Sequence, residues 1–261
     1  MADPDAESLL DNADANDSPS PSADDTDEKS QLLCHSRFIG LFVLLAFPVY
    51  GGGQAIVSSG ISSVGSSSRH WYIFGCLLIM LNSVMVAAIG GLVYHQMLRP
   101  SQLNNSGGRD VETEPVRLWG QRIGLFYLLS RSGEAGLLGF GGICYLQILV
   151  GDRAKSSDSS TMLASARAET CYNLGMISLS LGSVALFAFL GRTHNSYSTS
   201  IPRTLCLLGV AGYICLAISS GMHIMMSAAD FASNVAMCLL IPGSIFELVF
   251  GIWVLVKGLH I

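Results

Sequence analysis

Three ionisable side chains lie within stretches of the sequence that are otherwise apolar enough for a lipid bilayer. Arg131 and Glu134 lie in "LLSRSGEAGLLG", and Glu247 lies in "GSIFELVFG". A charged residue at the centre of a membrane helix costs about 2.5 to 3.5 kcal/mol on insertion scales, so each of them is expected to have a partner. Together they form a candidate intramembrane charged cluster, which could bind a proton or cation or tie helices together.

The spacing of these residues suggests how they pair. Arg131 and Glu134 are three residues apart and therefore share one face of a helix. Glu247 has no basic residue three or four positions away, and Arg131 is the only Lys or Arg in the middle of an apolar segment. We therefore expect Arg131 to bridge Glu134 and Glu247, docking the third span on the sixth. A structural tie and a proton or cation site at mid-membrane remain open alternatives.

The elements that must position this cluster are long apolar segments. Half of the chain is hydrophobic and only 13% is charged, whereas an ordinary soluble domain carries about 25% charged residues. A bilayer core of about 30 Å needs roughly 20 helical residues. The segments that meet this length are 38–58, 71–98, 119–150, 171–191, 204–225 and 234–258. The sequence thus predicts an all-α integral membrane bundle of about six transmembrane helices, formed by residues 37–261.

The N-terminal segment, residues 1–36, has a different composition. It holds ten Asp and Glu residues and one Lys, a net charge of −9, against +4 for the remainder of the chain. It is poor in aromatic and β-branched residues and cannot bury enough apolar surface to offset its ordering entropy. We predict a disordered acidic tail. The tail has neither the basic start nor the apolar core of a secretory signal peptide, so no cleavage is expected.

The distribution of Lys and Arg predicts the orientation, because positive residues are retained on the cytoplasmic side. Nine lie on the side of the N-terminus and four on the opposite side. The nine are Lys29, Arg37, Arg99, Arg109, Arg117, Arg122, Arg192, Arg203 and Lys257. Both termini are therefore predicted to be cytoplasmic. Which membrane holds the protein does not follow from the sequence.

Residues that break helices occur in the first and last spans. The first span contains "FPVYGGGQ", with Pro48 followed by Gly51, Gly52 and Gly53, and the sixth contains Pro242. Proline and clustered glycines are expected to kink or unwind a helix. Interrupted helices are a feature of the binding sites of many transporters.

Four further polar residues are candidates for a supporting role. Gln54 and Asn82 lie within spans, where interhelical hydrogen bonding is the more common role of an amide side chain. His95 and His223 lie near span ends on opposite sides, and an interfacial position is the simpler interpretation. Proton handling is the alternative for the two histidines, since imidazole titrates near neutral pH.

Four motifs give the chain a family resemblance: "SRFIGLFVLL" in the first span, "YLLSRSGEAGLLG" in the third, "SIPRTLCLLGVAGY" before and in the fifth, and "IFELVFGIWVLVKG" in the sixth. With them the sequence, from about Arg37 to Gly258, resembles the uncharacterised multi-spanning membrane protein family known as domain of unknown function 4386. The resemblance implies a helical bundle of about six spans and very little about activity.

The sequence leaves two classes of function open. No motif of a metalloprotease, serine hydrolase, P-loop or dinucleotide-binding protein is present, so we expect no enzyme activity, no metal and no cofactor. No feature indicates binding to nucleic acid. The first hypothesis is a small transporter that uses the charged cluster. The alternative is a non-catalytic membrane scaffold whose acidic tail recruits a basic protein partner. The oligomeric state does not follow from the sequence.

The predicted orientation can be tested through two N-x-S sequons, which begin at Asn16 and Asn104. Both face the cytoplasm in this topology, so neither should carry glycan when the protein is expressed in glycosylating cells. The expected result is no mobility shift on glycosidase treatment and unmodified peptides by mass spectrometry. Glycan on Asn104 would overturn the orientation.

Overall fold

The computed structural model describes residues 23–62, 68–98, 110–151, 158–193, 201–225 and 230–259. These residues form six helices: α1 (Ala23–Ser62), α2 (Ser68–Leu98), α3 (Asp110–Gly151), α4 (Asp158–Thr193), α5 (Arg203–Met225) and α6 (Asp230–Lys257). The described residues include no strand. The predicted all-α architecture is confirmed, and the bundle belongs to the compact unit Leu33–Ile261.

The helices extend beyond the predicted spans. Most of the predicted acidic tail lies outside the described residues, where its disorder stays a prediction, but α1 begins at Ala23. The largest difference is in α4, which begins at Asp158 although its span was predicted from residue 171. Ala164 and Ala168 are buried there, and Ala168 packs against Gly141 of α3. Packing against α3 therefore accompanies the extension of α4 beyond the predicted span.

Five of the six helices contain a stretch long and apolar enough to cross a membrane. The stretches are Ser36–Ser59, Arg69–Leu98, Met162–Thr193, Arg203–Met225 and Asn234–Lys257. The protein is therefore a multi-pass integral membrane protein. Among the described residues α3 has no such stretch, and its middle carries Arg131 and Glu134 among glycines and serines. These two side chains are buried, whereas Leu125, Leu129 and Phe140 of the same helix are exposed.

Consecutive helices pack antiparallel. Gly124, early in α3, lies against Met97 near the end of α2, whereas Gly142, late in α3, lies against Ile79 in the first half of α2. Contacts continue from α3 to α4, from α4 to α5 and from α5 to α6. We call the end of the bundle where the α1 span begins the N-terminal side, and the end where α1 finishes the distal side.

The helix α1 completes a ring by contacting both α2 and α6. A Cβ placed on Gly53 of α1 would lie 2.9 Å from the carbonyl oxygen of Gly75 in α2. On the N-terminal side, a Cβ on Gly40 would lie 2.5 Å from the backbone nitrogen of Leu255 and 2.7 Å from the carbonyl oxygen of Gly251, both in α6. Glycines that allow such close approach are typical of membrane helix interfaces.

The expected unwinding of α1 and α6 is wrong, whereas the expected kink stays a prediction. Each is a single continuous helix that contains its proline, Pro48 in α1 and Pro242 in α6. A proline removes one intrahelical hydrogen bond, and neighbouring helices commonly stabilise the backbone around such a site in a membrane protein. Close packing of Gly53 on Gly75 and of Gly243 on Gly212 provides that support here.

Two buried apolar clusters fill the ring. The larger, on the N-terminal side, draws on all six helices and includes Ile39, Val93, Tyr127, Leu190, Tyr213 and Phe246. The smaller lies on the distal side, and all of its described members come from α1 to α4, among them Val57, Cys76, Cys144 and Ala168. Arg131, Glu134 and Glu247 lie between these two clusters along the bundle.

The close approach of α1 and α6 can be tested by a single methyl group. Gly40→Ala places its Cβ against the α6 backbone, which cannot move aside as a side chain can, so we expect a loss of about 1 to 3 kcal/mol of stability. Thermal unfolding of the detergent-purified protein measures this. The matched control is Gly52→Ala in the same helix, where a Cβ meets nothing within 4 Å. Equal melting temperatures for the two variants would contradict the contact.

Candidate functional site

A cavity of about 250 Å³ lies in the middle of the bundle, between the two apolar clusters. All six helices line it. Its polar lining consists of Tyr50, Asn82, Arg131, Glu134, Tyr172, Ser244 and Glu247, and the remainder is mostly apolar. At roughly 30 Å³ per water molecule, the space corresponds to about eight waters. The three charged residues singled out in the sequence therefore share one cavity.

Arg131 is held by partners on its own helix. Its Nη1 donates to Oε2 of Glu134 at 2.9 Å, and its Nε donates to the hydroxyl of Tyr127 at 2.9 Å. The guanidinium also lies over the Tyr127 ring, 5.3 Å from its centroid. Residues three and four positions away share a helix face, so the local sequence alone builds this arrangement. Arg131 is 6% exposed and Glu134 2% exposed, so the ion pair is buried.

Close packing of neighbouring helices surrounds the ion pair. On the α2 side, a Cβ on Gly90 would lie 2.7 Å from the Cβ of Arg131. On the α4 side, the hydroxyls of Ser130 and Ser178 each donate to the other residue's backbone carbonyl. These contacts fix α3 between α2 and α4, and the ion pair is thereby removed from lipid.

Glu247 has a different partner from the one we expected. Its Oε1 accepts a hydrogen bond from the hydroxyl of Tyr213 on α5 at 2.9 Å. Among the described residues, the one ion pair within 4.0 Å is that of Arg131 with Glu134. The hypothesis that Arg131 bridges both carboxylates is therefore wrong for Glu247. The reason is that Arg131 is engaged by its own helix, whereas the ring places α5 next to α6 and so brings Tyr213 to Glu247.

Asn82 adds an unsatisfied acceptor to the cavity. It lies on α2, is 3% exposed and lines the cavity. Its Oδ1 is buried and has no hydrogen-bond partner among the described residues. An unsatisfied buried polar group costs about 1 to 3 kcal/mol, and an unpaired one in a native structure is commonly satisfied by water or a ligand. Asn82 is therefore a candidate ligand contact, whereas the sequence indicated only an interhelical hydrogen bond.

An aromatic cluster lies on the N-terminal side of the cavity, although none of its rings lines the cavity. The ring of Phe187 packs edge-on against Phe246 and Phe250, with centroids 4.8 and 5.2 Å apart. The same ring stacks on Tyr213 at 6.0 Å. Edge-to-face and offset-stacked rings at such distances are favourable. The donor to Glu247 is thus embedded in a rigid aromatic cluster.

A stacked tyrosine pair closes the cavity on the distal side. Tyr50 of α1 and Tyr172 of α4 have centroids 5.1 Å apart and planes inclined by 12°. Beyond the pair lies a second cavity, of about 360 Å³, lined by Tyr50, Gln54, Tyr145, Ser165, Glu169 and Tyr172. Gln54 belongs to this distal cavity, where its Nε2 donates to the Tyr50 hydroxyl at 2.7 Å. It does not join the charged cluster.

The other candidate residues lie at various distances from the cluster. Gly51 lines the central cavity, whereas neither Gly52 nor Gly53 does. His95 is exposed in the last turn of α2 and His223 lies in the last turn of α5. Neither histidine lines the central cavity. Within the part of the chain that the structure describes, no group of three or more His, Cys, Asp or Glu could hold a metal ion.

Tyrosines are the site residues that sequence reasoning missed. Tyr127 could have been found from its position four residues before Arg131. Tyr213 had a weaker signal, as a hydroxyl within the otherwise apolar "LLGVAGYICLA" of the fifth span. The pairing of Tyr50 with Tyr172 depends on α1 crossing to α4, and nothing in the local sequence indicates it.

Comparison with known proteins adds a family. Residues 117–258, more than half of the chain, match the family described as domain of unknown function (DUF4386). The chain belongs to the DUF4386 family. The match covers α3 to α6 and leaves the "SRFIGLFVLL" motif of α1 outside it. No curated protein and no solved structure matches the chain. The DUF4386 match includes all three charged residues of the cavity.

The buried ion pair can be tested by removing one partner. Arg131→Met leaves Glu134 buried without a counter-charge, so we expect a loss of about 3 to 5 kcal/mol of stability. The double variant Arg131→Met/Glu134→Gln removes both charges and should recover much of that loss. The measurement is unfolding of the purified protein in detergent.

Arg122→Met is the matched control for this variant. Arg122 lies on the same helix but is exposed, with its guanidinium 5.9 Å from the Trp119 ring centroid. Its loss should change stability by less than about 1 kcal/mol. Equal effects of the Arg131 and Arg122 variants would contradict the buried pair.

Proposed function

We propose that this DUF4386 protein is a transporter that carries a positively charged solute, with Glu247 as the carboxylate that binds the cation. The single observation that carries the proposal is a cavity at mid-membrane, lined by all six helices, that holds more carboxylate than cationic groups. Intramembrane ionisable residues that face a cavity commonly mark substrate or ion pathways.

The charge balance of the cavity favours a cation. The cavity holds two carboxyl groups against one guanidinium, so it carries an excess negative charge when both Glu134 and Glu247 are ionised. The hydrogen-bond partner of Glu247 is the neutral hydroxyl of Tyr213. Electrostatic attraction is stronger in a low-dielectric interior than in water. A cation in the cavity would balance Glu247, so the site should select against anions.

The lining also indicates the chemistry of the solute. The oxygens of Asn82 and Glu247 can accept hydrogen bonds from a protonated amine, while Val86, Ile89 and Met176 offer apolar contacts to its carbon atoms. Small-molecule sites are usually about 300 to 1,000 Å³. A cavity of about 250 Å³ suits a compact solute. An organic ammonium ion combines the charge, the hydrogen-bond donors and the carbon surface that this lining would bind.

We infer that the cavity binds and releases its solute without chemical conversion. Apart from the tyrosines, the residue that contributes a hydroxyl group to the lining of the cavity is Ser244. This hydroxyl donates a hydrogen bond to the carbonyl of Leu240 at 3.1 Å. A nucleophilic serine needs an adjacent general base. The hydrogen bond of Ser244 to a backbone carbonyl supports a structural role for this hydroxyl. We also propose that both termini are cytoplasmic.

The test is uptake of radiolabelled n-butylammonium into proteoliposomes at mildly acidic pH, where an alkylamine is almost wholly protonated. The wild-type protein should show saturable uptake, and Glu247→Gln should lower it by about tenfold or more, because a charge-assisted contact is replaced by a neutral one. Tyr213→Phe keeps the carboxylate and the ring and should have a smaller effect.

Glu169→Gln is the matched control, since this exposed carboxylate lies outside the central cavity. It should transport at the wild-type rate. Uptake that is absent in the wild type, or equal in the Glu247 and Glu169 variants, would refute the proposed function.

A further inference from the structure

The central cavity has an opening whose position can be read from its exposed lining residues. Among the residues that line it, those exposed at the surface are Phe47, Gly51 and Ser244. Phe47 and Gly51 lie on α1 and Ser244 lies on α6. A Cβ on Gly51 would meet nothing within 4 Å, so the space beside this residue is open. We call these three residues the mouth, and it lies between α1 and α6.

The mouth lies at the depth of the bilayer core. Phe47 and Gly51 are inside the apolar stretch Ser36–Ser59, and Ser244 is inside Asn234–Lys257. Gly51 is eight residues from the end of its stretch and Ser244 ten from the start of its own, or about 12 to 15 Å at a rise of 1.5 Å per residue. The mouth therefore faces lipid acyl chains rather than water.

The packing of α1 explains why the mouth exists. On the N-terminal side α1 is pressed against α6, through Gly40 and Gly251. Further along, Tyr50 stacks on Tyr172 of α4, and Val57 belongs to the distal cluster formed by α1 to α4. The helix α1 thus leans away from α6 toward α4 as it crosses, and a gap opens between α1 and α6.

Aromatic side chains lie on both sides of the central cavity along the bundle. The cluster of Phe187, Phe246 and Phe250 lies on the N-terminal side, and the Tyr50–Tyr172 pair separates the central cavity from the distal one. Among the described residues, the mouth is the place where cavity lining and protein surface coincide. Entry from the membrane thus requires less rearrangement than entry from water.

We propose that the ligand of this cavity is an amphiphilic ammonium compound that enters laterally from the bilayer, between α1 and α6. The inference rests on the proposed function for the cation site and adds the route and the substrate class. The ammonium group binds between Glu247 and the unsatisfied Oδ1 of Asn82, both of which line the cavity. The alkyl part extends past Phe47 and through the mouth into the lipid.

The chemistry of the mouth fits this ligand. Phe47 and Gly51 offer no hydrogen-bonding side chain, and the Ser244 hydroxyl is engaged by the Leu240 carbonyl. A hydrocarbon chain passing between them therefore displaces no strongly held water. The charge is instead recognised inside the cavity, by Glu247 and Asn82.

The experiment measures n-butylammonium uptake in proteoliposomes for three variants that fill different spaces. Gly51→Leu places a branched side chain in the mouth, and we expect it to lower the uptake rate about tenfold. Gly52→Leu is the matched control, because a Cβ at Gly52 also meets nothing within 4 Å but this residue does not line the cavity. Ser165→Trp fills the distal cavity, which an aqueous route would use. Both of the latter variants should retain the wild-type rate.

The substrate class is tested by competition against the same uptake. Hexylammonium should inhibit at a concentration at least about tenfold below that of ethylammonium, since each buried methylene favours the apolar phase. Equal inhibition by the two compounds would overturn the amphiphilic class. Thermal unfolding of each variant shows whether it is folded, and Ser244→Leu provides a second blockade of the mouth if Gly51→Leu is unstable.

The outcomes separate the two proposals. If the wild type shows no uptake that depends on Glu247, the proposed function itself is wrong. If such uptake exists but Ser165→Trp abolishes it while Gly51→Leu and Ser244→Leu leave it unchanged, the solute enters from water and the lateral route is wrong. A loss of uptake in Gly51→Leu with wild-type rates in Gly52→Leu and Ser165→Trp supports lateral entry.

Discussion

The burial of Arg131 in a low-dielectric environment is the constraint on which the architecture of this protein depends. An isolated guanidinium in hydrocarbon is costly, so the chain supplies a carboxylate and a phenol from the same helix, each at 2.9 Å. A helix with this content is not apolar enough to face lipid all round. It is therefore packed between α2 and α4, with Gly90 against the arginine and paired serine hydrogen bonds on the other side.

The same constraint explains why a polar space exists in the middle of the bundle. Arg131 and Glu134 pair within one helix, so polar side chains on the other helices need hydrogen-bond partners of their own. Tyr213 is such a partner for Glu247. Asn82 remains with an unsatisfied oxygen. The large apolar cluster lies on one side of these residues and the smaller cluster on the other. The cavity thus lies at the boundary between the two apolar clusters, and the small residues around it are not large enough to fill it.

Much of the fold followed from the sequence, because span length and composition depend on single segments. Segments of about 20 apolar residues predict membrane helices wherever they occur, and the Arg131–Glu134 pair followed from spacing along one helix. Contacts between helices could not be predicted from single segments of the sequence. The partner of Glu247 is set by the order of helices in the ring, and the Tyr50–Tyr172 stack is set by the tilt of α1. The expectation of unwound helices at Pro48 and Pro242 was also wrong, because each proline lies within a continuous helix that neighbouring helices support.

Local pairing of Arg131 with Glu134 has a consequence for how the protein is made. Membrane helices enter the bilayer in order as the ribosome synthesises them, and α3 emerges well before α6. Because its counter-ion is three residues away, α3 can partition into lipid as an electrically neutral segment without waiting for a later helix. Glu247 arrives last, when Tyr213 is already present on α5. The contact of Gly40 with α6 forms only at that stage, so the final helix both completes the cavity and locks the first helix in place.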